Sequence, residues 1–501
     1  MTDGPSDGSP AASSGTQPGR SDVRFLLPAL PGSASWLGDV APWPAVPSGP
    51  VVPSTRAPSL VVASADRIED AAATGADFVI VQGPDARRRL TAHGYTAQGF
   101  LPLPSLDAPG FLVPLDRPGP ARYVLHRAIA PSRRWKRARN HVVAALLARG
   151  VAPPRTELLS MGVRQPGPPF LVRAAEALGI PSDVDWLLSP GQGDILSRGV
   201  ITLFPKGSET PRWALKFTRA PGYRDPFDRD ERGLHLAASA GPAASSHAPR
   251  LIGRLDSDGY HASVETAAVG PRLIAYLHSS APRRTKLETV GRVAAWVIEV
   301  GSQTAGSPDR LGPERRRVEE EVLPSWRALG ATGRLASELP PVPAVLQHND
   351  LGSWNLVVDG PEFTVLDWED ALGHGFPLWD LWYFLLDVLA HLDGAQDLES
   401  RERHAVRLFR GSWRPRGALR LDAPRREGPR AAPRRHRLPG HAVLSPSRPL
   451  PGSPHGRSRP PLRDRPGCRA VSHDAGCRAL AGRRGARTGV ACLAVLRAHR
   501  P

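Results

Sequence analysis

Cysteine is nearly absent from this sequence of 501 residues. The three that occur, Cys468, Cys477 and Cys492, have spacings that match neither a zinc site nor a disulfide framework. Long apolar runs are also missing, because the most apolar stretch, residues 378–392, contains two aspartates and is shorter than the roughly 20 residues that cross a bilayer. The N-terminus lacks the basic and apolar segments of a secretion signal. These absences exclude a disulfide scaffold, and we predict a cytoplasmic protein with no membrane partner.

Acidic residues are scarce only at the C-terminal end. The whole chain has a formal net charge of +17, which taken alone suggests a nucleic-acid partner. Residues 401–501, however, contain 25 arginines, no lysine and five acidic residues, so the preceding 400 residues are nearly neutral. The charge therefore describes the tail, and we expect no specific nucleic-acid partner.

The tail also lacks several residue types. From about Gly411 the sequence contains no Ile, Met, Asn, Lys, Tyr or Gln, and Arg, Pro, Ala and Gly dominate it. Most of the missing types have A/T-rich codons, so we hypothesise a frameshift near residues 405–415. The alternative is a genuine basic extension. Either origin predicts that residues 411–501 are disordered and not part of the fold.

The N-terminal third has the pattern of a small α/β domain. Residues 1–22 have a Ser/Gly/Pro-rich composition that predicts disorder. A strand, helix, strand unit over residues 59–82 follows. The domain is predicted to span residues 23–180 and to include two more strand-like runs and a basic helix, at residues 110–115, 121–127 and 133–148. This segment contains neither G-x-G-x-x-G nor a nucleophile elbow, so its role is not predicted.

The pattern changes near residue 185. Three short extended runs predict an antiparallel meander, which a helix and two further strands follow: residues 186–189, 200–204, 213–217, 227–240, 249–255 and 261–266. Helical periodicity then dominates. We predict an α+β, two-lobed unit with an antiparallel-sheet N-lobe at 181–268 and a mostly helical C-lobe at 269–410, truncated if the frame shifts.

One stretch carries the residues for a chemical reaction. His348, Asp350 and Asn355 form an H-x-D-x-x-x-x-N pattern, and Asp367 follows a β-hairpin turn in Val-Leu-Asp-Trp-Glu. Phosphoryl transfer needs an acid to accept a hydroxyl proton and hard oxygen ligands for Mg²⁺. The alternative is structural, with His348 and Asp350 capping a helix and Asp367 ending a strand.

These residues resemble the aminoglycoside phosphotransferase and choline kinase family, which has a protein-kinase-like fold. The resemblance spans about residues 185–400 and implies ATP and Mg²⁺ as cofactors. It implies that Asp350 is the catalytic base, with His348 as a second catalytic residue in the same loop, and that Asn355 and Asp367 are magnesium ligands. Asn349 stands where the family usually has glycine.

The upstream half of this unit contains residues that could bind the nucleotide. Lys216 lies in an apolar extended run, like the kinase strand whose lysine holds the α- and β-phosphates. We predict Glu231, in preference to Asp230 or Asp228, as its acidic partner on the following helix. These acids could equally be stabilising the helix N-terminus.

Two further segments complete the predicted nucleotide site. The turn that contains Gly191 and Gly193 is predicted to cover the phosphates with backbone N–H groups. The segment from Glu265 to Ala267 resembles the family's hinge, whose backbone would bind the adenine edge.

The leading hypothesis is an ATP-dependent phosphotransferase that acts on a hydroxyl of a small-molecule acceptor, which is aminoglycoside-, choline- or sugar-like. The alternative is a non-catalytic kinase-like module that binds a nucleotide or a partner and is inactive because the helices of the acceptor site are lost. Four intact residues at the proposed site, namely Asp350, Asn355, Asp367 and Lys216, favour the enzyme, whereas the tail favours the inactive module.

Overall fold

A computed structural model describes residues 22–37, 59–83, 85–105, 109–149, 151, 158–191, 196–324, 340–395 and 397–409. Its strands are Ser33–Leu37 (β1), Ser59–Ser64 (β2), Phe78–Gln82 (β3), Thr96–Leu103 (β4), Phe111–Pro114 (β5), Leu159–Val163 (β6), Asp185–Ser189 (β7), Gly199–Phe204 (β8), Trp213–Phe217 (β9), Leu251–Ser257 (β10), Tyr260–Thr266 (β11), Val345–Gln347 (β12), Leu356–Asp359 (β13), Glu362–Val365 (β14) and Leu372–Gly375 (β15). The α-helices are Ile68–Ala73 (α1), Ala86–Ala92 (α2), Pro118–Tyr123 (α3), Arg134–Leu147 (α4), Phe170–Ala174 (α5), Asp225–Ser239 (α6), Pro242–Ser245 (α7), Leu273–Leu277 (α8), Arg283–Thr304 (α9), Gly312–Arg317 (α10), Trp379–Leu392 (α11) and Leu398–Phe409 (α12).

Within the described ranges, eleven strands form one mixed sheet. The strand order is β1-β2-β3-β6-β4-β5-β7-β8-β9-β11-β10. The first three strands are parallel, and the predicted strand, helix, strand unit corresponds to β2, α1 and β3. The predicted meander is also confirmed, because β7, β8 and β9 pair antiparallel in sequence order.

One predicted strand is wrong. Residues 121–127 form the end of helix α3 and a following helical turn rather than an extended run. Pro118 starts the helix, where its missing N–H costs no hydrogen bond. Ala121, Val124 and Leu125 are buried at helical spacing, so packing on one face overrides the extended pattern.

The sheet crosses the boundary that the sequence predicts between residues 180 and 181. Strand β5 joins β7 through a bridge between Leu112 and Leu188. One apolar core likewise contains Ile80 of the N-terminal half together with Ile201 and Phe217 of the predicted N-lobe. The two segments therefore share a core, and their division into separate domains stays a prediction.

A short 3₁₀ turn, Asp22–Leu26, packs against the same core. Asp22 accepts a hydrogen bond from the Gly191 N–H at 2.9 Å, and its other oxygen lies 3.7 Å from the Arg219 guanidinium. Arg219 donates to the Ser197 carbonyl at 2.9 Å, and Arg24 donates to the Arg219 carbonyl at 3.0 Å. Asp22 and Arg219 thus contact both sides of the turn between β7 and β8.

Asp22 should make stability depend on pH. Burial raises the pKa of Asp22 to about 7, although the Arg219 guanidinium opposes the shift. Between the ordinary aspartate pKa of about 3.9 and pH 7 the folded state holds a proton that the unfolded chain has released, so the free energy of unfolding falls as pH rises. We expect Asp22→Asn to remove about 1.4 kcal/mol of the decline between pH 6 and pH 8, measured by denaturant unfolding.

The exposed Asp309 provides the control for this measurement. Asp309→Asn should leave the pH dependence as it is in the unchanged protein. An Asp22→Asn variant that keeps the full decline would contradict the assignment.

The C-lobe is mostly helical. Helices α8 to α12 surround two small antiparallel sheets, one of β12 with β15 and one of β13 with β14. Its core includes Val293 of α9, Leu356 of β13 and Phe384 of α11. The predicted α+β, two-lobed fold is confirmed.

Several predictions lie outside the described residues. These are the disorder of residues 1–21, the tail at 411–501 with its three cysteines, and the part after residue 409 of the stretch at 405–415 where we hypothesise a frameshift. Asp22, the last residue of the segment predicted as disordered, is fully buried. Within the described ranges, no helix combines the length and the apolar character needed to span a membrane.

Candidate active site

The loop that follows β12 is held by a buried carboxylate on helix α11. Asp380 accepts hydrogen bonds from the N–H groups of His348 at 2.6 Å and Asn349 at 2.9 Å. Asn349 has φ +69°, in the left-handed region that glycine and asparagine tolerate best. Asparagine can therefore occupy this position in place of the family's glycine. Burial raises the pKa of Asp380 to about 7, against the effect of the two N–H donors.

Asp350 is fixed by two neighbours. The amide nitrogen of Asn355 lies 3.0 Å from Asp350 Oδ2 and 3.0 Å from the Asp350 carbonyl oxygen. The Tyr383 hydroxyl donates to Asp350 Oδ1 at 3.0 Å. Tyr383 lies three residues after Asp380 on the same helix, which places both side chains toward the loop. Tyr383 and Asn355 therefore orient the carboxylate.

The imidazole ring of His348 is held by the backbone. Its Nε2 lies 2.9 Å from the Leu366 carbonyl and must donate to it, whereas its Nδ1 accepts from the Asp350 N–H at 3.3 Å. Both ring nitrogens therefore bond backbone groups. This geometry supports a positioning role for His348 rather than the predicted catalytic one.

Asp367 stands beside the loop at the start of the 3₁₀ turn Trp368–Asp370. The Leu366 N–H donates to the Asn355 carbonyl at 2.7 Å, which brings Asp367 close to Asn355. Asp367 has φ +66°, the sort of strained conformation that collects at functional sites. Burial alone would raise the pKa of Asp367, but Arg198 and Lys216 hold it well below its usual range. The carboxylate is therefore ionised.

The donor set at this point fits a magnesium ion. The side-chain nitrogen of Asn355 donates to Asp350, so the side-chain oxygen of Asn355, Oδ1, is the atom that could bind a cation. Asp367 supplies an ionised carboxylate. Mg²⁺ is commonly held by one or two such groups together with phosphates and water. Among the residues that the structure describes, no cluster of three or more His, Cys, Asp or Glu side chains could hold a metal by itself. The site therefore fits a metal that arrives with phosphates.

Lys216 is paired with acidic residues, but not with the predicted one. Its Nζ lies 2.7 Å from Asp230 Oδ2 and 2.7 Å from Glu265 Oε1. Glu231 instead accepts from Arg254 at 3.1 Å. The prediction of Glu231 is wrong in geometry, because consecutive helix residues point about 100° apart. Asp230 therefore faces Lys216 of β9, whereas Glu231 faces Arg254 of β10.

The charges around Lys216 are strongly coupled. Burial alone would lower the pKa of Lys216, but the carboxylates of Asp230 and Glu265 raise it. Burial raises the pKa of Glu265 to about 7, against the opposing effect of Lys216. The lysine therefore stays protonated.

Asp230 also links the two lobes. Its Oδ1 accepts from the Trp368 N–H at 3.2 Å while its Oδ2 binds Lys216. Helix α6 can approach this closely because residue 233 is glycine: a Cβ there would lie 1.8 Å from the Trp368 carbonyl oxygen. Lys216 of the N-lobe and the turn after Asp367 are thereby joined through one carboxylate.

Two predicted nucleotide contacts are already satisfied within the protein. The Gly191 N–H, predicted to cover phosphates, donates to Asp22, and the Ala267 N–H, predicted to bind adenine, donates to the Arg212 carbonyl at 3.0 Å. Glu265 directs its side chain to Lys216. Gly193 lies outside the described residues. In this conformation neither Gly191 nor Ala267 offers its N–H to a ligand.

Sequence reasoning missed Arg198, Tyr383 and Asp22. The position of Tyr383 could have been found from its helical spacing to Asp380, but Asp22 contacts a residue 169 positions away and no local pattern indicates it. Arg198 follows the predicted phosphate turn and contacts three carboxylates at the centre of the site.

The sheet lobe, the helical lobe, and the loop and lysine between them define a two-lobed domain of the protein-kinase-like class. Residues 202–419, somewhat less than half of the chain, match the model of the phosphotransferase enzyme family, APH. The family resemblance predicted from the motifs is therefore confirmed for this part of the chain.

The solved structures that are similar to this chain include an aminoglycoside phosphotransferase and a kinase. An aminoglycoside-3'-phosphotransferase of type VIII is 15% identical, with a TM-score of 0.31, over 48% of this chain and 91% of that chain. The amicoumacin kinase hAmiN, solved with AMP-PNP, Ca²⁺ and Ami, is 11% identical, with a TM-score of 0.26, over 47% of this chain and 83% of that chain. No curated protein matches the sequence.

Proposed function

We propose that this protein is an ATP-dependent phosphotransferase that moves the γ-phosphoryl group to a hydroxyl of a small-molecule acceptor. One observation carries the proposal. Asp350, Asn355 and Asp367 lie together at the C-lobe loop, and Asp230 connects Lys216 to the turn that follows Asp367. These links support a phosphotransferase, because phosphoryl transfer needs a base, metal ligands and a phosphate-binding cation near one another.

Asp350 is the proposed catalytic base. The acceptor oxygen forms its bond to the γ-phosphorus as the bond from that phosphorus to the ADP oxygen breaks, and the hydroxyl proton passes to the Asp350 carboxylate. Tyr383 and Asn355 hold this carboxylate in one orientation. Positioning of this kind is a large part of catalysis when no covalent enzyme intermediate is formed.

Asn355 and Asp367 would hold Mg²⁺, which when bound neutralises charge that develops on the phosphate oxygens. Lys216 would orient the nucleotide phosphates, since it stays charged in its buried position. The proposed site uses ATP, and a cytoplasmic location would supply it.

The acceptor is proposed to be an aminoglycoside-, choline- or sugar-like hydroxyl compound. Trp354 and Tyr383 lie edge to face with ring centroids 6.1 Å apart, and Tyr383 contacts the proposed base. Aromatic faces beside a carboxylate suit a ring or a cationic group on the acceptor.

A non-catalytic nucleotide-binding module is the second candidate function. It is favoured by the contact of Asp367 with Arg198, because the guanidinium then occupies a carboxylate that catalysis would need for the metal. A module of this kind would bind the nucleotide without transferring phosphate.

A transfer assay separates the two candidates. Full-length protein is incubated with Mg²⁺, ATP labelled in the γ-phosphate, and aminoglycoside, choline-like or sugar acceptors in parallel. We expect label on one acceptor class. Nucleotide binding without label on any acceptor would favour the non-catalytic module, and the absence of both binding and transfer would contradict both candidates.

A further inference from the structure

Arg198 reaches from the N-lobe into the centre of the proposed site. It immediately precedes strand β8, and its side chain is 13% exposed. One guanidinium nitrogen, Nη1, lies 3.3 Å from Asp230 Oδ2, and the other, Nη2, contacts Asp367 and lies 3.8 Å from Glu369 Oε2. Carboxylates of both lobes therefore surround one cation.

The contact with Asp367 conflicts with the role proposed for that residue. A guanidinium beside Asp367 repels a divalent cation at the same carboxylate, and an arginine cannot relieve this repulsion by losing its proton. The surrounding carboxylates raise the pKa of Arg198 further, against the effect of burial. Metal binding to Asp367 therefore requires the guanidinium to move.

The phosphates of the nucleotide are a suitable destination for the displaced side chain. Arg198 follows the turn between β7 and β8, next to Lys216 on the neighbouring strand β9: Val200 and Lys216 pair directly. Guanidinium groups bind phosphate oxygens through two parallel hydrogen bonds, which a lysine cannot do. A short movement would exchange one set of anionic oxygens for another.

We propose that Arg198 acts as a substitute cation for Asp367 in the free protein and becomes a phosphate-binding residue when the magnesium nucleotide enters. This inference rests on the proposed function. It makes Arg198 a further nucleotide-positioning residue, and it couples the release of Asp367 to the arrival of phosphate.

Two affinities of the full-length Arg198→Gln variant test the proposal. The first is for Mn²⁺ without nucleotide, measured by electron paramagnetic resonance, and the second is for AMP-PNP at saturating Mg²⁺. We expect the Mn²⁺ affinity to rise about tenfold and the AMP-PNP affinity to fall about tenfold. Each change corresponds to about the free energy of one hydrogen bond to a charged group. Opposite changes would distinguish the proposal from a purely structural ion pair.

Arg254→Gln is the matched control. Arg254 also pairs with acidic residues of helix α6, Asp228 and Glu231, but contacts none of the proposed site. It should change neither affinity. Arg198→Lys keeps the charge without the two-pronged geometry, so it should keep a wild-type Mn²⁺ affinity and weaken AMP-PNP binding, and it serves if Arg198→Gln does not fold.

Unchanged affinities, or a fall in both, would overturn the role of Arg198. Measurements on the wild-type protein distinguish failure of the inference about Arg198 from failure of the proposed function. If it binds AMP-PNP in a magnesium-dependent manner, only the inference about Arg198 is lost. If it shows no such binding, the proposed function is contradicted as well.

Discussion

Asp350→Asn is expected to lower phosphotransfer by a factor on the order of 10² or more, as for the loss of a positioned base. Asparagine has nearly the same shape and can still accept from Tyr383, but it cannot take up a proton from the acceptor hydroxyl. Nucleotide affinity should stay within about twofold of the original value, because a larger change would require the gain or loss of a hydrogen bond to the nucleotide. Steady-state transfer rates and AMP-PNP titration measure the two quantities.

Asp359→Asn provides the matched control on the hairpin that follows the loop. Asp359 pairs with Arg127 at the surface and touches none of the proposed catalytic groups. The control should retain full transfer. An Asp350→Asn variant that loses binding and turnover in equal measure would indicate a structural role for this carboxylate instead.

Asp367→Ala is expected to remove the magnesium-dependent part of ATP binding. The substitution deletes the only carboxylate among the proposed metal ligands, so addition of Mg²⁺ should no longer strengthen binding. The expected loss is about ten- to a hundredfold at saturating Mg²⁺, the range for one or two charge-assisted contacts. Calorimetric titration with and without Mg²⁺ measures it.

Asp370→Ala controls for disruption of the same 3₁₀ turn. Asp370 lies 3.8 Å from the Arg229 guanidinium, at the end of the turn opposite to Asp367. Its replacement should preserve the response to Mg²⁺. If Asp367→Ala responds to Mg²⁺ as fully as Asp370→Ala does, the metal assignment is wrong.

The part of the site that the sequence predicts well is local. Asp350 and Asn355 are five residues apart in one loop, so chain geometry alone keeps them close, and their side chains do meet at 3.0 Å. The antiparallel meander is predictable for the same reason, because its three strands follow one another in the sequence. Neither prediction requires knowledge of contacts with residues far away in the sequence.

Predictions fail where one residue or one distant partner decides the contact. Asp230 and Glu231 are adjacent acids on helix α6, and which of them meets Lys216 depends on helix rotation, which the packing of Gly233 on Trp368 fixes. The Gly191 N–H bonds Asp22, whose position in the core depends on tertiary packing. No pattern near either residue encodes these contacts.

The turn at Asp22–Leu26 has a consequence for how the chain is synthesised. Asp22 and Arg24 form hydrogen bonds with residues that lie 169 and 195 positions later in the sequence. Both residues therefore emerge from the ribosome long before their partners are synthesised. Loop closure over such distances is slow, and buried apolar side chains such as Phe25 must wait in contact with water or with a chaperone. The contacts between Asp22–Leu26 and the proposed nucleotide turn thus form late in folding, although this segment is synthesised early.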